Sequence, residues 1–140
     1  LFKVAGFEAP WKLHGRDLSP LLENPTRTDW QHPILFEHMG HHFGKATTEL
    51  LANKGEAVHS QVPWWVAIRQ GKYKYIRTLL AGETEEIYDL QTDPEELTNL
   101  ASQPQQQPLL KQLREATLTE LRRTEAGFID HLPPTKAMQQ

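Results

Sequence analysis

The sequence predicts an α+β fold: a small antiparallel sheet of about four strands with a C-terminal helix packed on one face. Two patterns point to it. Aromatic and β-branched runs follow one another through residues 62–90, separated by the turn formers Gln70-Gly71 and Ala81-Gly82-Glu83. Connections that tight favour antiparallel pairing. Further on, Leu110, Leu113, Thr117 and Leu121 recur at helical spacing. Such a stripe must pack on something, and the sheet offers the surface. A length of 140 residues suits one domain and is short for two ordinary ones.

Taken in order, the elements read as follows. Leu1-Phe2-Lys3-Val4-Ala5-Gly6 resembles the tail of a helix closed by a C-cap glycine. On this reading the chain is a piece of a longer protein, with residues 1–130 a subdomain and residues 1–30 its lead-in. Ser19 suits an N-cap and Pro20 the first position of a short helix, with Leu18, Leu21 and Leu22 expected to be buried. Asn24-Pro25 stops it. The compact apolar run at 33–38 is expected to be a buried strand. Residues 39–61 lose periodicity and hold Gly40, Gly44 and Gly55. A loop that long in a small domain is functional or unstructured, and 46–53 suits a short helix inside it. The remaining strands are expected near 63–70, 72–80 and 86–90. In the second, Tyr73, Tyr75 and Arg77 should face one way and Lys74 and Ile76 the other. Asp93-Pro94-Glu95-Glu96 has the composition of a helix start, with Leu97, Leu100 and Ala101 on the buried face. A Gln/Pro linker at 102–107 leads to the long helix, expected over 108–126 and ended by Gly127. The tail at 131–140 is expected to fray.

Composition narrows the function classes. A formal charge of −3, with charged residues at 24%, gives no electrostatic reason to seek nucleic acid or an anionic membrane. The densest basic clusters, Lys72-Tyr73-Lys74 and Arg122-Arg123, are short. The absence of cysteine excludes disulfides, thiolate metal sites and a cysteine nucleophile. It leaves the compartment open, since a chain without thiols is at home anywhere. No apolar run approaches the ~20 residues that span a bilayer.

No complete catalytic constellation is present. The one histidine-rich place is Glu37-His38-Met39-Gly40-His41-His42, with His59 further on. Three readings stand: a metal site, solvated loop histidines, or a polar pocket shared with another domain. Trp64-Trp65 admits either a domain interface or a stacking wall for a ligand. Adjacent strand side chains face opposite ways, so at most one indole belongs to the core of this sheet. The carboxylates between Glu85 and Glu96 lack the spacing of a calcium-binding helix-loop-helix.

Gly71-Lys72-Tyr73-Lys74-Tyr75-Ile76-Arg77, then Glu85-Glu86-Ile87-Tyr88-Asp89-Leu90-Gln91-Thr92-Asp93-Pro94-Glu95-Glu96, then Asn99-Leu100-Ala101, is similar to the C-terminal end of type I sulfatases. The upstream His14-Gly15-Arg16-Asp17-Leu18-Ser19-Pro20-Leu21-Leu22 resembles a further segment of that family. The resemblance, to arylsulfatases and N-sulfoglucosamine sulfohydrolases of the alkaline phosphatase superfamily, spans roughly residues 14–101. It implies a parent with a large N-terminal α/β domain. That domain would carry a formylglycine made from Cys or Ser in a C/S-x-P-x-R motif and calcium or magnesium held by Asp and Asn.

This chain holds no such motif, so alone it is expected to be inactive. The resemblance further implies that its partners are the N-terminal domain and a sulfated sugar or small molecule, in a parent that is exported or periplasmic. An apolar face left by that domain would drive self-association of this chain. The competing class is a stand-alone carbohydrate-binding module. Within the implied parent, position nominates Glu37, His38, His59 and one of Trp64 or Trp65 as part of the substrate wall. Glu37 and His38 end a strand, His59 closes the long loop leaving it, and the next strand opens at Trp64. If the two strands are neighbours, both ends of the loop meet at one rim.

Overall fold

The computed structural model describes Phe2, residues 4–54 and residues 57–136. Leu1 and Lys3 of the expected helix end, Gly55 of the expected loop, and residues 137–140 of the expected tail lie outside the described residues. The chain divides into two compact units, Leu1–His32 and Pro33–Gln140.

In the first unit Gly6 has φ 73°, and the Phe7 N–H donates to the Phe2 carbonyl at 2.9 Å. This bond closes a turn; the first helix among the described residues begins at Ser19. Helix α1 (Ser19–Glu23) has Pro20 in its first turn as expected. The expected N-cap Ser19 is instead the first helical residue: the N-cap is Leu18, without a side-chain cap bond, and Asp17 Oδ1 accepts from the Ser19 N–H at 3.0 Å and the Ser19 hydroxyl at 2.6 Å. The expected burial of its leucines does not occur: Leu18 and Leu22 are exposed and Leu21 is half-buried. A unit of this size buries too little surface to build a core of its own.

The second unit contains β1 (Ile34–His38), α2 (Lys45–Ala52), the small hairpin β2 (Val58–His59) and β3 (Val62–Pro63), then β4 (Trp65–Gln70), β5 (Tyr73–Thr78), β6 (Glu86–Asp89) and α3 (Gln107–Arg123). Four strands form one antiparallel sheet in the order β1-β4-β5-β6. Gln70 pairs with Tyr73, so only Gly71 and Lys72 link β4 to β5. Gly71 sits at φ 58°, the left-handed region that such a turn assigns to glycine.

Register sorts the side chains into two faces, because cross-strand partners share a side. Leu35 pairs with Ile68, Ile68 with Tyr75, and Tyr75 with Ile87. Helix α3 covers this face with Leu110 and Leu113. Further along, Leu121 packs with Trp64, Val66 and Leu79, joined by Met39, Leu51 and Phe128. The stripe Leu110, Leu113, Thr117 and Leu121 is buried throughout, as its spacing predicts. A lone helix of 17 residues is marginal in water. Each fully buried leucine contributes roughly 1.5–3 kcal/mol, so the stripe is what holds α3 in place.

One ionic cluster ties α3 to the sheet. The Tyr75 hydroxyl donates to Glu85 Oε1 at 2.5 Å. Arg114 grips the same carboxylate with both ends of its guanidinium, Nε on Oε1 at 2.6 Å and Nη2 on Oε2. Burial pushes the Tyr75 hydroxyl up, reinforced by its bond to Glu85.

Three expectations are corrected. First, β1 is an edge strand whose Ile34, Phe36 and Glu37 are exposed, rather than a buried one. Second, residues 94–101 do not form a helix. Asp93 accepts from the Leu97 and Thr98 N–H groups at 3.0 and 2.8 Å, a side-chain alternative to the helical ladder. Glu96 turns to φ 59° and pairs with Lys74 at 2.7 Å. Only Leu100–Ser102 winds into a 3-10 turn. Third, the tail is tied down as far as Lys136. The Pro133 carbonyl accepts from Arg77 at 2.8 Å, the Pro134 carbonyl accepts from the Gly82 N–H at 3.1 Å, and the Lys136 N–H donates to Glu83 at 3.0 Å.

Candidate functional site

The nominated residues lie where β1 ends and the long loop begins. In the register of β1 and β4, His38 stands opposite Trp65 and Glu37 opposite Val66. The His38 imidazole stacks on the Trp65 indole, with centroids 5.6 Å apart and planes 21° apart. Trp65 is half-buried, whereas Trp64 is 0% exposed in the core with Val66 and Leu79. The pleat therefore separates the two indoles as expected, one into the core and one to the other side.

The loop leaves β1 through Gly40, at φ 59°. A Cβ added there would lie 2.5 Å from Cβ and Cγ of His59. Gly40 thus serves twice, once for a left-handed turn and once for the close approach of His59. The expected meeting of the two ends of the loop takes place: His41 Nδ1 and His59 Nδ1 lie 3.1 Å apart, so one must donate and the other accept. His41 leans on His42 at 4.3 Å between centroids, and His42 on Trp64 at 5.0 Å.

The nominated set therefore splits. His38 and Trp65 form one pair on the side of the sheet away from α3. His59 belongs to a run with His41, His42 and the buried Trp64. Glu37 faces the α3 side, on the evidence of its pairing with Val66. Although Glu37 as a residue is exposed, neighbouring atoms crowd solvent from its carboxyl and raise its pKa, so it keeps a proton to higher pH than an ordinary glutamate. His41 and His42 were outside the nominated wall. The available signal was their position directly after Gly40, a residue suited to folding the next two side chains back on the strand end.

Three nitrogens here are shielded from solvent and have no hydrogen-bond partner among the described residues: His38 Nε2, His42 Nδ1 and Trp64 Nε1. The indole nitrogen can only donate, and each imidazole nitrogen can donate or accept. Such groups gain from a polar ligand or a neighbouring domain that reaches them. No three or more His, Asp or Glu side chains among the described residues are grouped to hold a metal ion.

Comparison with known proteins places this geometry in a family. Residues 1–124 match the family model described as N-sulphoglucosamine sulphohydrolase, C-terminal. The chain belongs to this sulfatase C-terminal family. A choline-sulfatase of Rhizobium meliloti (strain 1021) is 33% identical over 121 residues, covering 86% of this chain and 18% of that protein. Among solved structures, one of a protein in complex with its substrate D-glucosamine-2-N,6-O-disulfate superposes with a TM-score of 0.70 at 21% identity, over 92% of this chain and 24% of that one. The phosphonate monoester hydrolase of Agrobacterium radiobacter gives a TM-score of 0.55 at 26% identity, over 81% and 21% respectively. The chain thus spans under a quarter of the length of each of these relatives.

Within this sulfatase subdomain, the polar residues that carry the family resemblance are scaffolding. Asp89 accepts from Lys72 Nζ at 2.6 Å and the Gln91 N–H at 3.1 Å. Asp93 caps the following turn, and Glu96 anchors it to Lys74. Asn99 accepts from the Ile87 N–H at 3.0 Å and donates to the Glu85 carbonyl at 3.0 Å, fastening the turn to β6. The motif that names the family is what folds the end of the sheet. The candidate site lies elsewhere, on segments the motif does not include.

Proposed function

We propose that this chain is the C-terminal structural and substrate-pocket subdomain of a sulfatase that hydrolyses sulfate esters, with its catalytic domain outside the chain. Membership of the sulfatase family supports the reaction class. On the family resemblance, the calcium or magnesium ion and the formylglycine belong to the catalytic domain. The chain alone, bounded at about residue 130 with residues 1–30 as lead-in, is inactive on this reading.

The observation that carries the pocket role is the His38–Trp65 stack. A rigid strand pair presents an indole face and an imidazole whose Nε2 lacks a partner among the described residues. A sulfated sugar offers an apolar ring face, hydroxyls and an anionic group, which such a surface complements. His59, held by His41 and Gly40, adds a second imidazole at the loop, whereas Glu37, on the α3 side, stands apart from the His38–Trp65 stack. Trp64 serves beneath them as the floor on which His42 rests. A sulfated amino sugar or a small sulfate ester is the substrate class proposed, by analogy with the relative solved with a disulfated glucosamine and with the choline-sulfatase.

The test is kinetic. In the full-length enzyme, His38→Ala and His59→Ala should each lower kcat/KM by roughly ten-fold or more, the loss of one or two hydrogen bonds to a polar or charged group. Melting temperature should stay nearly unchanged. Wild-type kinetics in both variants, or activity lost only through unfolding, would make these residues structural.

A further inference from the structure

We infer that His41 is a positioning residue for the proposed pocket: it holds the His59 ring so that Nε2, carrying the proton, faces the substrate. The inference rests on the reading above, that His59 lines a pocket for a sulfated substrate. It names the atom of His59 that binds, the chemistry that atom accepts, and the residue that sets both.

His59 stands on a rigid support. It ends β2 and pairs with Val62 of β3. Ser60 and Gln61 join the two strands at φ 49° and 67°, the doubly left-handed backbone of a tight hairpin. At the base of this hairpin the Trp64 N–H donates to the Ala57 carbonyl at 2.6 Å, and both residues are fully buried. The ring itself is placed by what touches it. A Cβ on Gly40 would lie 2.5 Å from Cγ and 3.0 Å from Nδ1 of His59, so the Nδ1 edge of the ring is turned to the loop. His41 Nδ1 meets that edge at 3.1 Å.

His41 is held in its turn. The His42 N–H donates to the Met39 carbonyl at 3.1 Å and closes the bend that carries Gly40 and His41. The His41 ring leans on His42, and His42 on the buried Trp64. An exposed side chain thus keeps a fixed direction because two rings stand behind it.

The chemistry of the ligand decides which imidazole donates. A neutral imidazole carries one proton, on Nδ1 or on Nε2. With Nδ1 of His59 engaged, Nε2 is the nitrogen left to a ligand. The oxygens of a sulfate ester only accept, so Nε2 must carry the proton to bind one. Nδ1 of His59 is then bare and accepts, and His41 Nδ1–H is the donor. The hydrogen bond made by one ring nitrogen sets the protonation of the other. An isolated imidazole would exchange tautomers and turn about its bond to the chain. The pair offers one donor in one direction before the substrate arrives.

The test is steady-state kinetics of the full-length enzyme, read as sulfate release from an aryl sulfate and from a sulfated glucosamine. His41→Phe keeps a ring against His42 and loses Nδ1. His41→Asn loses the ring and keeps an amide N–H near the place of Nδ1. His41→Phe should raise KM about five-fold, with kcat changed by less than about two-fold. His41→Asn should stay within about two-fold of the wild-type KM. A ring that only packs would give the reverse order, Phe tolerated and Asn impaired, and that result would overturn the inference. In a His59→Ala background, His41→Phe should cause no further loss. Additive losses would also overturn the inference, since His41 would then act without His59. A loss in His59→Ala beside a silent His41→Phe overturns the inference and leaves the pocket reading standing. Unchanged kinetics in His59→Ala, or a wild-type enzyme that releases sulfate from neither compound, overturns the pocket reading and the inference with it. Should His41→Phe not accumulate, His41→Leu removes the same nitrogen and gives the same readout.

Discussion

Glu85 joins the electrostatics of the domain to its packing. Burial raises its pKa, but the hydrogen bonds from Arg114 and Tyr75 outweigh burial and hold the carboxyl below its usual range. A carboxyl whose pKa is depressed by folding stabilises the fold above its unfolded pKa, and that stability is lost as pH falls through the folded value. Acidification below the ordinary glutamate range, about 4.3, should therefore weaken the domain. Glu85→Gln should cost about 2–3 kcal/mol at neutral pH, since it leaves the part-exposed Arg114 without its anion. It should also remove part of the acid dependence. Urea midpoints measured from pH 3 to pH 7 check both, and an unchanged acid limb in the variant would remove Glu85 from the account. Residue-level legibility was uneven. The opposed indoles of Trp64 and Trp65 follow from strand pleating alone. The His41–His59 pair does not, because it depends on a loop closing over 18 residues and on Gly40 leaving room for a ring.

At the scale of elements, what was legible was local and what was not was set from a distance. The α3 stripe, the Gly71 turn and the alternation of Tyr73 and Tyr75 need only neighbours in sequence, and all three are present. The helix expected after Asp93 had its capping residues in place, yet Glu96 is drawn to Lys74, 22 residues away. A tertiary ion pair and Asp93's own turn displaced a weak local preference. Strand β1 was found but placed too deep, because an apolar run does not say whether its second face is covered by the same chain or by another domain. For α3 the consequence is specific. Leu113 is fully buried against the sheet, so Leu113→Asp places an unpaired carboxylate in the core. It should cost several kcal/mol, comparable to the whole stability of a domain this size. Far-UV circular dichroism and the melting transition would report an unfolded or severely weakened variant. A stable, soluble Leu113→Asp protein would show that α3 is not docked.

For the molecule as a whole, the balance between covered and uncovered faces decides behaviour in solution. One side of the sheet is closed by α3 and the two clusters of core residues, and it makes the second unit a body with its own interior. The other side leaves Ile34 and Phe36 about half exposed beside the His38–Trp65 pair. A net charge of −3 spread over 140 residues provides little repulsion to keep such faces apart. Expressed alone, the chain should therefore self-associate reversibly. Strand β1, at the edge of the four-stranded sheet, offers a second route to the same end. Phe36→Lys removes the apolar centre of the face and sets a cation on the edge strand. Because the Phe36 side chain lies outside the α3 core, the variant should keep its melting temperature within about 1 kcal/mol of equivalent stability. Sedimentation velocity at rising concentration should show the average mass of the wild-type chain increasing and that of Phe36→Lys staying at the monomer. A wild-type chain that remains monomeric at every concentration, or a variant that associates equally well, would mean that the open face is not sticky. The unbroken apolar runs of β1 and β4 would then need another cause.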